Sequence, residues 1–249
     1  MNPLNPVSLE NQANFESPII IALDYTSEAE VMNLIQQLDP SLCKLKVGKE
    51  LFTACGPKLV EKLVISGYKV FLDLKFHDIP NTVYRACKVG CNLGVWMLNV
   101  HASGGIRMLE QAKLAVDESN SDTLLIAVTV LTSMNQADLA QTGINEDIKT
   151  HILNLAQQSY HAGLDGVVCS AQEAAHIKHA TSPDFIIVTP GIRLNDDVTT
   201  DDQQRIMTPK KAIQNLADYL VIGRPITEAD DPREQLLAIL SSIKSIKSV

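Results

Sequence analysis

Short β-rich runs alternate with longer segments of helical spacing along almost the whole chain, and this alternation restricts the possible folds most strongly. Between the runs, apolar residues recur at helical spacing, as at Val31, Leu34 and Leu38. Alternating βα units predict a parallel sheet covered by helices, and eight units favour a closed (β/α)8 TIM barrel over an open doubly wound sheet. No G-x-G-x-x-G motif follows the first run, which weakens the dinucleotide-binding alternative. The predicted strands are Ile19–Asp24, Leu42–Val47, Lys69–Lys75, Gly94–His101, Leu124–Val130, Gly166–Ser170, Phe185–Thr189 and Tyr219–Gly223.

The composition is that of an ordinary globular protein, with 45% hydrophobic and 20% charged residues. The formal net charge of -8 argues against binding to nucleic acid or to an anionic membrane, so an anionic ligand needs a local cluster of Lys and Arg. No apolar run approaches the roughly 20 residues that cross a bilayer. The five cysteines form no C-x-x-C pair, which suits reduced thiols in the cytoplasm.

The chain divides unequally into a short tail and one large domain. Residues 1–17 are polar and rich in Asn and Pro, and they have neither the basic region nor the apolar core of a signal peptide. We expect them to form a loose N-terminal tail. Residues 18–249 show no break in composition, so we expect them to form a single barrel domain.

Polar residues collect where the predicted strands end, which is where the active site of a (β/α)8 barrel lies. Side chains at i and i+2 share a face of a strand, so Asp73 and Lys75 point the same way. Charges that point into a barrel need counter-ions, because burying an unpaired charge is costly. We therefore expect an alternating Lys-Asp-Lys-Asp cluster at the mouth of the barrel. The polar strand-end residues are Asp24, Lys46, Asp73, Lys75, Asn99 and His101.

The last two strands lead into a candidate phosphate site. Pro190-Gly191-Ile192-Arg193 follows the seventh strand, and Gly223-Arg224 follows the eighth. Glycine permits close approach of the backbone, and a guanidinium group matches the geometry of a phosphate. The loops after strands seven and eight often bind phosphate in barrels of this kind. The fifth strand runs into the hydroxyl-rich segment 129–133, which either contacts a ligand or caps a turn.

Taken together, these motifs resemble the orotidine 5'-phosphate decarboxylase family in its bacterial form, from Ile19 to about Leu240. The most specific segments are Asp-Leu-Lys-Phe-His-Asp-Ile-Pro-Asn-Thr at 73–82, Val-Thr-Val-Leu-Thr-Ser at 128–133, Pro-Gly-Ile-Arg at 190–193 and Ile-Gly-Arg-Pro-Ile at 222–226. The resemblance implies decarboxylation of orotidine 5'-monophosphate to uridine 5'-monophosphate and CO2, in pyrimidine biosynthesis, with no cofactor and no metal. It also implies a homodimer.

The resemblance assigns roles to individual residues. It implies that Lys75 stabilises the carbanion at C6 of the pyrimidine and protonates it. It also implies that Asp78, Ile79 and Thr82 reach the active site of the neighbouring subunit. The implied catalytic residues are Lys46, Asp73, Lys75 and Asp78, and the implied substrate-binding residues are Asp24, Lys46, Ile79, Thr82, Thr132, Pro190, Arg193, Gln203, Gly223 and Arg224, with Gln204 as an alternative to Gln203.

Two other functions remain open at this point. One is that of the related 3-keto-gulonate-phosphate decarboxylases and hexulose-phosphate synthases, which share the Asp-x-Lys-x-x-Asp pattern and use magnesium. Those barrels have a carboxylate as metal ligand where this chain has Lys46, which argues against that function. The other is a phosphate-binding barrel without catalysis. The intact charged cluster argues against it, since such a cluster is costly to keep for binding alone.

Overall fold

The computed structural model of this chain describes residues 16–194 and 206–244. Within them, eight parallel strands close into a barrel in which each strand pairs with the next and the last pairs with the first. The predicted (β/α)8 barrel is therefore confirmed, with differences only at strand ends. The strands are β1 (Ile19–Leu23), β2 (Lys44–Gly48), β3 (Val70–Phe76), β4 (Met97–His101), β5 (Leu124–Val128), β6 (Gly166–Val168), β7 (Ile186–Thr189) and β8 (Tyr219–Ile222).

Helices connect the strands, and local sequence signals mark where several of them begin. The Ser27 side chain accepts a hydrogen bond from the Ala29 N–H at the start of the first helix. Asn135 and Asp138 form a capping box at the start of the sixth. No helix in the described part of the chain is both long and apolar enough to span a membrane. The helices are α1 (Glu28–Ile35), α2 (Lys49–Cys55), α3 (Pro57–Ile65), α4 (Pro80–Asn92), α5 (Ile106–Asp117), α6 (Gln136–Gln141), α7 (Ile148–His161), α8 (Ala174–Ala180), α9 (Pro209–Gln214), α10 (Arg224–Thr227) and α11 (Pro232–Lys244).

The alternation of side chains along each strand divides the core into two layers. On β1, Ile19 and Ile21 pack outward against the helices. Ile20 and Ala22 point into the barrel, where Phe71 of β3 belongs to the same inner cluster. The inner layer is small and apolar, and the charged side chains at the strand ends lie next to it. The period of two therefore determines which strand-end residues face the site.

The amino-terminal end of the barrel carries a charged group of its own. Lys44 faces inward from β2, two residues before Lys46, but it lies at the end of the barrel opposite the mouth. Its ammonium is 3.1 Å from a Glu16 carboxylate oxygen and donates to the Ser17 carbonyl at 2.7 Å. Burial lowers the pKa of Lys44, and Glu16 acts in the opposite direction. Lys44 thus occupies the floor of the barrel, and Lys46 is the lysine of this strand that reaches the mouth.

The predicted tail meets the barrel before residue 18. Glu16 also pairs with Lys69 at 2.9 Å, and Ser17 is buried. These two residues therefore contact the barrel floor. Residues 1–15 lie outside the described part of the chain, so a loose tail there stays a prediction.

Gly166 lies where β6 and β7 approach each other closely. A Cβ atom at this position would be 2.2 Å from the Ile186 carbonyl oxygen, so a side chain would force the two backbones apart. We expect Gly166→Ala to lower the free energy of unfolding by about 1–3 kcal/mol, measured by denaturant titration. Gly90→Ala is the comparison, because the nearest atoms to its Cβ would be at the end of the Leu98 side chain, which can shift more easily than a backbone carbonyl, and alanine favours the helix. Equal stability of the Gly166→Ala variant and the natural chain would contradict this packing.

Candidate active site

Four charged side chains of alternating sign form a continuous chain across the mouth of the barrel. The Lys46 ammonium lies 3.6 Å from an Asp24 oxygen and 3.4 Å from an Asp73 oxygen. The other Asp73 oxygen lies 2.6 Å from the Lys75 ammonium. Asp73 is only 8% exposed, so its carboxylate depends on these two cations for charge compensation. The alternating cluster predicted from the strand ends is present, and it draws on three neighbouring strands.

The segment of β3 that carries Asp73 and Lys75 departs from regular strand pairing. Leu72 pairs with Leu98 of β4, and the next pair is Phe76 with Val100. Between these pairs β3 advances by four residues while β4 advances by two, so β3 contains a bulge. Lys75 has a φ of 52°, in the left-handed region that residues with side chains rarely adopt. Such a conformation costs about 1–3 kcal/mol and persists only where the surroundings enforce it. Asp73 and Lys75 therefore lie on the part of β3 where the pairing with β4 is irregular.

Asn99 of β4 holds the bulge from the side. It is fully buried. Its amide nitrogen donates to the Asp73 carboxylate at 2.6 Å, and its amide oxygen accepts the Lys75 backbone N–H at 2.7 Å. One side chain therefore binds both the buried carboxylate and the strained backbone.

A cavity of about 560 Å³ opens above the inner apolar layer and contains the charged chain. Its size is in the range of sites for small ligands. The structure brings most of the predicted site residues together around it. Those that line the cavity are Asp24, Lys46, Asp73, Lys75, Thr132, Pro190, Arg193, Gly223 and Arg224.

The far side of the cavity combines two guanidinium groups with a closely packed glycine. Arg193 and Arg224 both line it, beside Gly223. A Cβ atom on Gly223 would lie 3.3 Å from an Asp24 oxygen, so a side chain here would crowd that carboxylate. The backbone N–H of Arg193 donates to the Met207 carbonyl, so these two residues are held next to each other. Gln203 and Gln204 lie outside the described residues, and their assignment stays a prediction.

Three predicted residues lie away from this cavity. Asp78, Ile79 and Thr82 are exposed at the start of α4, and none of them lines the cavity. Ile79 is 67% exposed, which is unusual for a large apolar side chain. The Asp78 carboxylate accepts the Ile79 backbone N–H at 2.6 Å. Within one chain, therefore, these residues do not complete the charged cluster.

Sequence reasoning missed several residues that line the cavity. Phe71 lies two residues before Asp73, so the same period of two that placed Asp73 inside also identifies Phe71. Leu131 is next to Thr132 in the segment after β5. Glu228 lines the cavity beyond α10, and no motif in the sequence marks it. The missed residues are thus mainly apolar neighbours of residues that were identified.

A larger cavity, of about 750 Å³, lies at the opposite end of the barrel. It is lined by residues next to the starts of β1 and β8, including Pro18 and Tyr219, and by the Lys178–Asp218 ion pair, whose atoms are 2.8 Å apart. None of the predicted site residues lines it. We assign the candidate active site to the smaller cavity, because it holds the charged cluster at the carboxyl ends of the strands.

The fold and the site define a (β/α)8-barrel protein whose ionisable side chains are grouped at the carboxyl ends of its strands, as in barrel enzymes. A family model narrows this class, since the model described as "Orotidine 5'-phosphate decarboxylase / HUMPS family" matches residues 17–239. The chain belongs to this family.

Curated relatives and solved structures agree with the family model. A Chromobacterium violaceum protein named orotidine 5'-phosphate decarboxylase is 53% identical over 240 residues, covering 96% of this chain and 97% of that protein. A Neisseria meningitidis serogroup B protein of the same name is 49% identical over 249 residues, covering 100% and 99%. The crystal structure of orotidine 5'-phosphate decarboxylase from Lactobacillus acidophilus superposes with a TM-score of 0.82 at 37% identity, covering 91% of this chain and 99% of that one.

His101 is a titratable group beside the cluster that we expect to be neutral at neutral pH. Burial, together with the nearby positive charges of His77, Lys49 and Lys75, lowers the pKa of His101 to about 4, while Asp73 acts in the opposite direction. The His77 and His101 ring centroids are 5.5 Å apart. Because the unfolded chain binds this proton more readily, His101 destabilises the fold as the pH falls from 6.5 toward 4.

We expect His101→Gln to reduce the loss of stability over this pH range. The natural chain should lose about 1–2 kcal/mol more than the variant between neutral pH and pH 4, after allowance for solvent screening. Denaturant titrations of both proteins at several pH values measure this difference. Parallel curves for the two proteins would show that folding does not change the pKa of His101.

Proposed function

We propose that this protein decarboxylates orotidine 5'-monophosphate to uridine 5'-monophosphate and CO2 without a cofactor. The names of relatives that share about half of the residues over nearly the whole chain support this activity. The observation that carries the proposal is the buried Asp73 carboxylate between the Lys46 and Lys75 ammonium groups, in a cavity with two arginines on its far side.

The cavity offers a place for each part of the nucleotide. Arg193, Arg224 and the Gly223 backbone bind the phosphate dianion, since guanidinium groups and backbone N–H groups suit a phosphate. Asp24 accepts hydrogen bonds from the ribose hydroxyls. Thr132, which is 7% exposed at the cavity wall, contacts the pyrimidine. Pro190 and Gln203 complete the proposed contacts, and the reacting carboxylate of the substrate then lies near Asp73 and Lys75.

Lys75 supplies the chemistry at C6 of the pyrimidine. The bond between C6 and the carboxylate carbon breaks, CO2 leaves, and the electron pair stays on C6. The ring delocalises this charge poorly, so a preorganised cation must stabilise it, and the Lys75 ammonium is that group. Lys75 then donates a proton to C6 and becomes a neutral amine, which regains its proton from solvent. No electrons are gained or lost overall, so the reaction needs no redox cofactor.

Asp73 and Lys46 set the electrostatic conditions for this step. Asp73 lies close to the substrate carboxylate, and their mutual repulsion is relieved as CO2 departs. Lys46 offsets part of the charge of Asp73 and holds it from the side opposite Lys75. Contacts with the distant phosphate provide binding energy that helps to bring these like charges together.

A homodimer completes the proposed site. Asp78, Ile79 and Thr82 are exposed and outside their own cavity, so we propose that they line the cavity of the neighbouring subunit. The exposed Ile79 then becomes buried in the interface. We also propose a cytoplasmic location, because the cysteines form no C-x-x-C pair and four of the five are buried, which suits a reducing compartment.

The magnesium-dependent activity of related barrels fits this cavity less well. Lys46 lies between the Asp24 and Asp73 carboxylates, where its ammonium would repel a divalent cation. No group of three or more His, Cys, Asp or Glu residues in the described ranges has the arrangement of a metal site.

The first test of the proposed function is an absorbance assay. We expect the ultraviolet signal of orotidine 5'-monophosphate to disappear rapidly with purified protein in excess chelator, because the proposed chemistry uses only protein side chains. A sugar phosphate with added magnesium is the comparison substrate. Turnover of the sugar phosphate alone would place the protein in the magnesium-dependent group, and turnover of neither substrate would favour a binding protein.

A heterodimer test distinguishes a shared site from a site within one chain. With Lys75→Ala on one subunit and Asp78→Ala on the other, one site lacks both groups and the second is intact. We expect about half of the natural turnover per dimer from this pair. The control carries both substitutions on one subunit, paired with a natural subunit. It should be nearly inactive, since each site then lacks one group. The opposite pattern would show that Asp78 serves its own chain.

A further inference from the structure

Asn99 binds two catalytic elements without lining the cavity. It is fully buried in β4 and absent from the cavity wall. Its amide nitrogen is 2.6 Å from an Asp73 oxygen, the same oxygen that lies 2.6 Å from the Lys75 ammonium. Its amide oxygen is 2.7 Å from the Lys75 backbone nitrogen. The side chain therefore contacts both residues from outside the cavity.

The position of Asn99 coincides with the break in strand pairing. Leu98 and Val100, its two neighbours, pair with Leu72 and Phe76 of β3, so Asn99 lies opposite the bulged segment. A bulge leaves backbone groups without their ladder partners. The Asn99 side chain provides one such partner, because it accepts the N–H of Lys75, the residue with the left-handed backbone.

We propose that Asn99 is a positioning residue for the decarboxylation, which holds the Asp73 carboxylate and the Lys75 backbone in the geometry that the reaction needs. This inference rests on the proposed function. Asn99 acts through these two residues and contacts no substrate atom. Its effect is expected on the chemical step, with little effect on binding of the nucleotide.

The two hydrogen bonds require an amide at this position. The Asp73 carboxylate only accepts, and the Lys75 backbone N–H only donates, so the residue must donate on one side and accept on the other. Leucine has nearly the same shape but can do neither. Aspartate has the same shape as well, but it meets both requirements only while it carries a proton.

The first variant is Asn99→Leu, measured in the orotidine 5'-monophosphate assay and by calorimetric titration with uridine 5'-monophosphate. We expect kcat to fall about 100-fold, because small displacements of catalytic groups have effects of this size. The Kd of uridine 5'-monophosphate, which lacks the reacting carboxylate, should stay unchanged. Asn215→Leu is the control. It removes a partly buried Asn that donates to the Ala171 carbonyl, and because neither residue lines the cavity, it should keep the natural kcat.

The second variant, Asn99→Asp, makes the effect depend on pH. The charged groups around the new carboxyl are Asp73 and Lys75, with Lys46 beyond Asp73 and His101 two residues along β4. Two carboxylates in contact share a proton, so this variant reproduces the natural contacts only at low pH. We expect its kcat, relative to the natural protein, to rise as the pH falls. A flat relative profile would show that the contacts of this side chain do not affect the chemical step.

The outcomes separate this inference from the proposed function. If the natural protein does not turn over orotidine 5'-monophosphate, the proposed function fails before Asn99 is judged. If the natural protein is active, a natural kcat in Asn99→Leu overturns the positioning role. Equal loss of kcat and of nucleotide affinity overturns it too, since that pattern indicates general damage to the site. Should Asn99→Leu fail to fold, a flat relative pH profile for Asn99→Asp overturns the role.

Discussion

The site depends on a carboxylate that is buried between two ammonium groups. Asp73 is 8% exposed, and a charge at that depth is stable only with close partners. These partners are Lys46 of β2, Lys75 of β3 and Asn99 of β4. Removing one of them leaves the others unbalanced, so the three strands are tied together electrostatically as well as by their backbone hydrogen bonds. The contacts of Asp73 at the mouth therefore contribute to the stability of the barrel.

The apolar layer beneath the mouth makes this arrangement possible. Ala22, Phe71 and Val221 of the inner cluster also line the cavity. They keep water away from the lower side of the charges, and electrostatic interactions are stronger where water is excluded. The charges are also paired before any ligand arrives. Little rearrangement of the cluster is then needed at the moment of reaction, which is the condition for electrostatic catalysis.

Local patterns in the sequence predicted the barrel, the inward face of the strand-end charges and the arginines on the far side of the cavity. They succeeded because alternation and side-chain parity depend only on neighbouring residues. Parity gives the face of a side chain but not its depth, so it did not show that Lys44 lies at the barrel floor. The bulge at Lys75 and the role of Asn99 depend on how β3 pairs with β4, which no local pattern encodes. The residues at the start of α4 lie outside the cavity of their own chain, and the place that we propose for them involves a second subunit.

The two inward lysines of β2 also have a consequence for folding. Lys44 finds Glu16 at the floor, and Lys46 finds Asp24 and Asp73 at the mouth. A slip of β2 by one residue would carry both ammonium groups into the outer apolar layer. A slip by two would move each lysine away from its own carboxylates. The first misalignment would bury unpaired charge, and the second would leave the carboxylates at one end of the barrel without their lysine, so both are disfavoured. The charges at the two ends of the barrel therefore help to fix the register of β2 against its neighbouring strands.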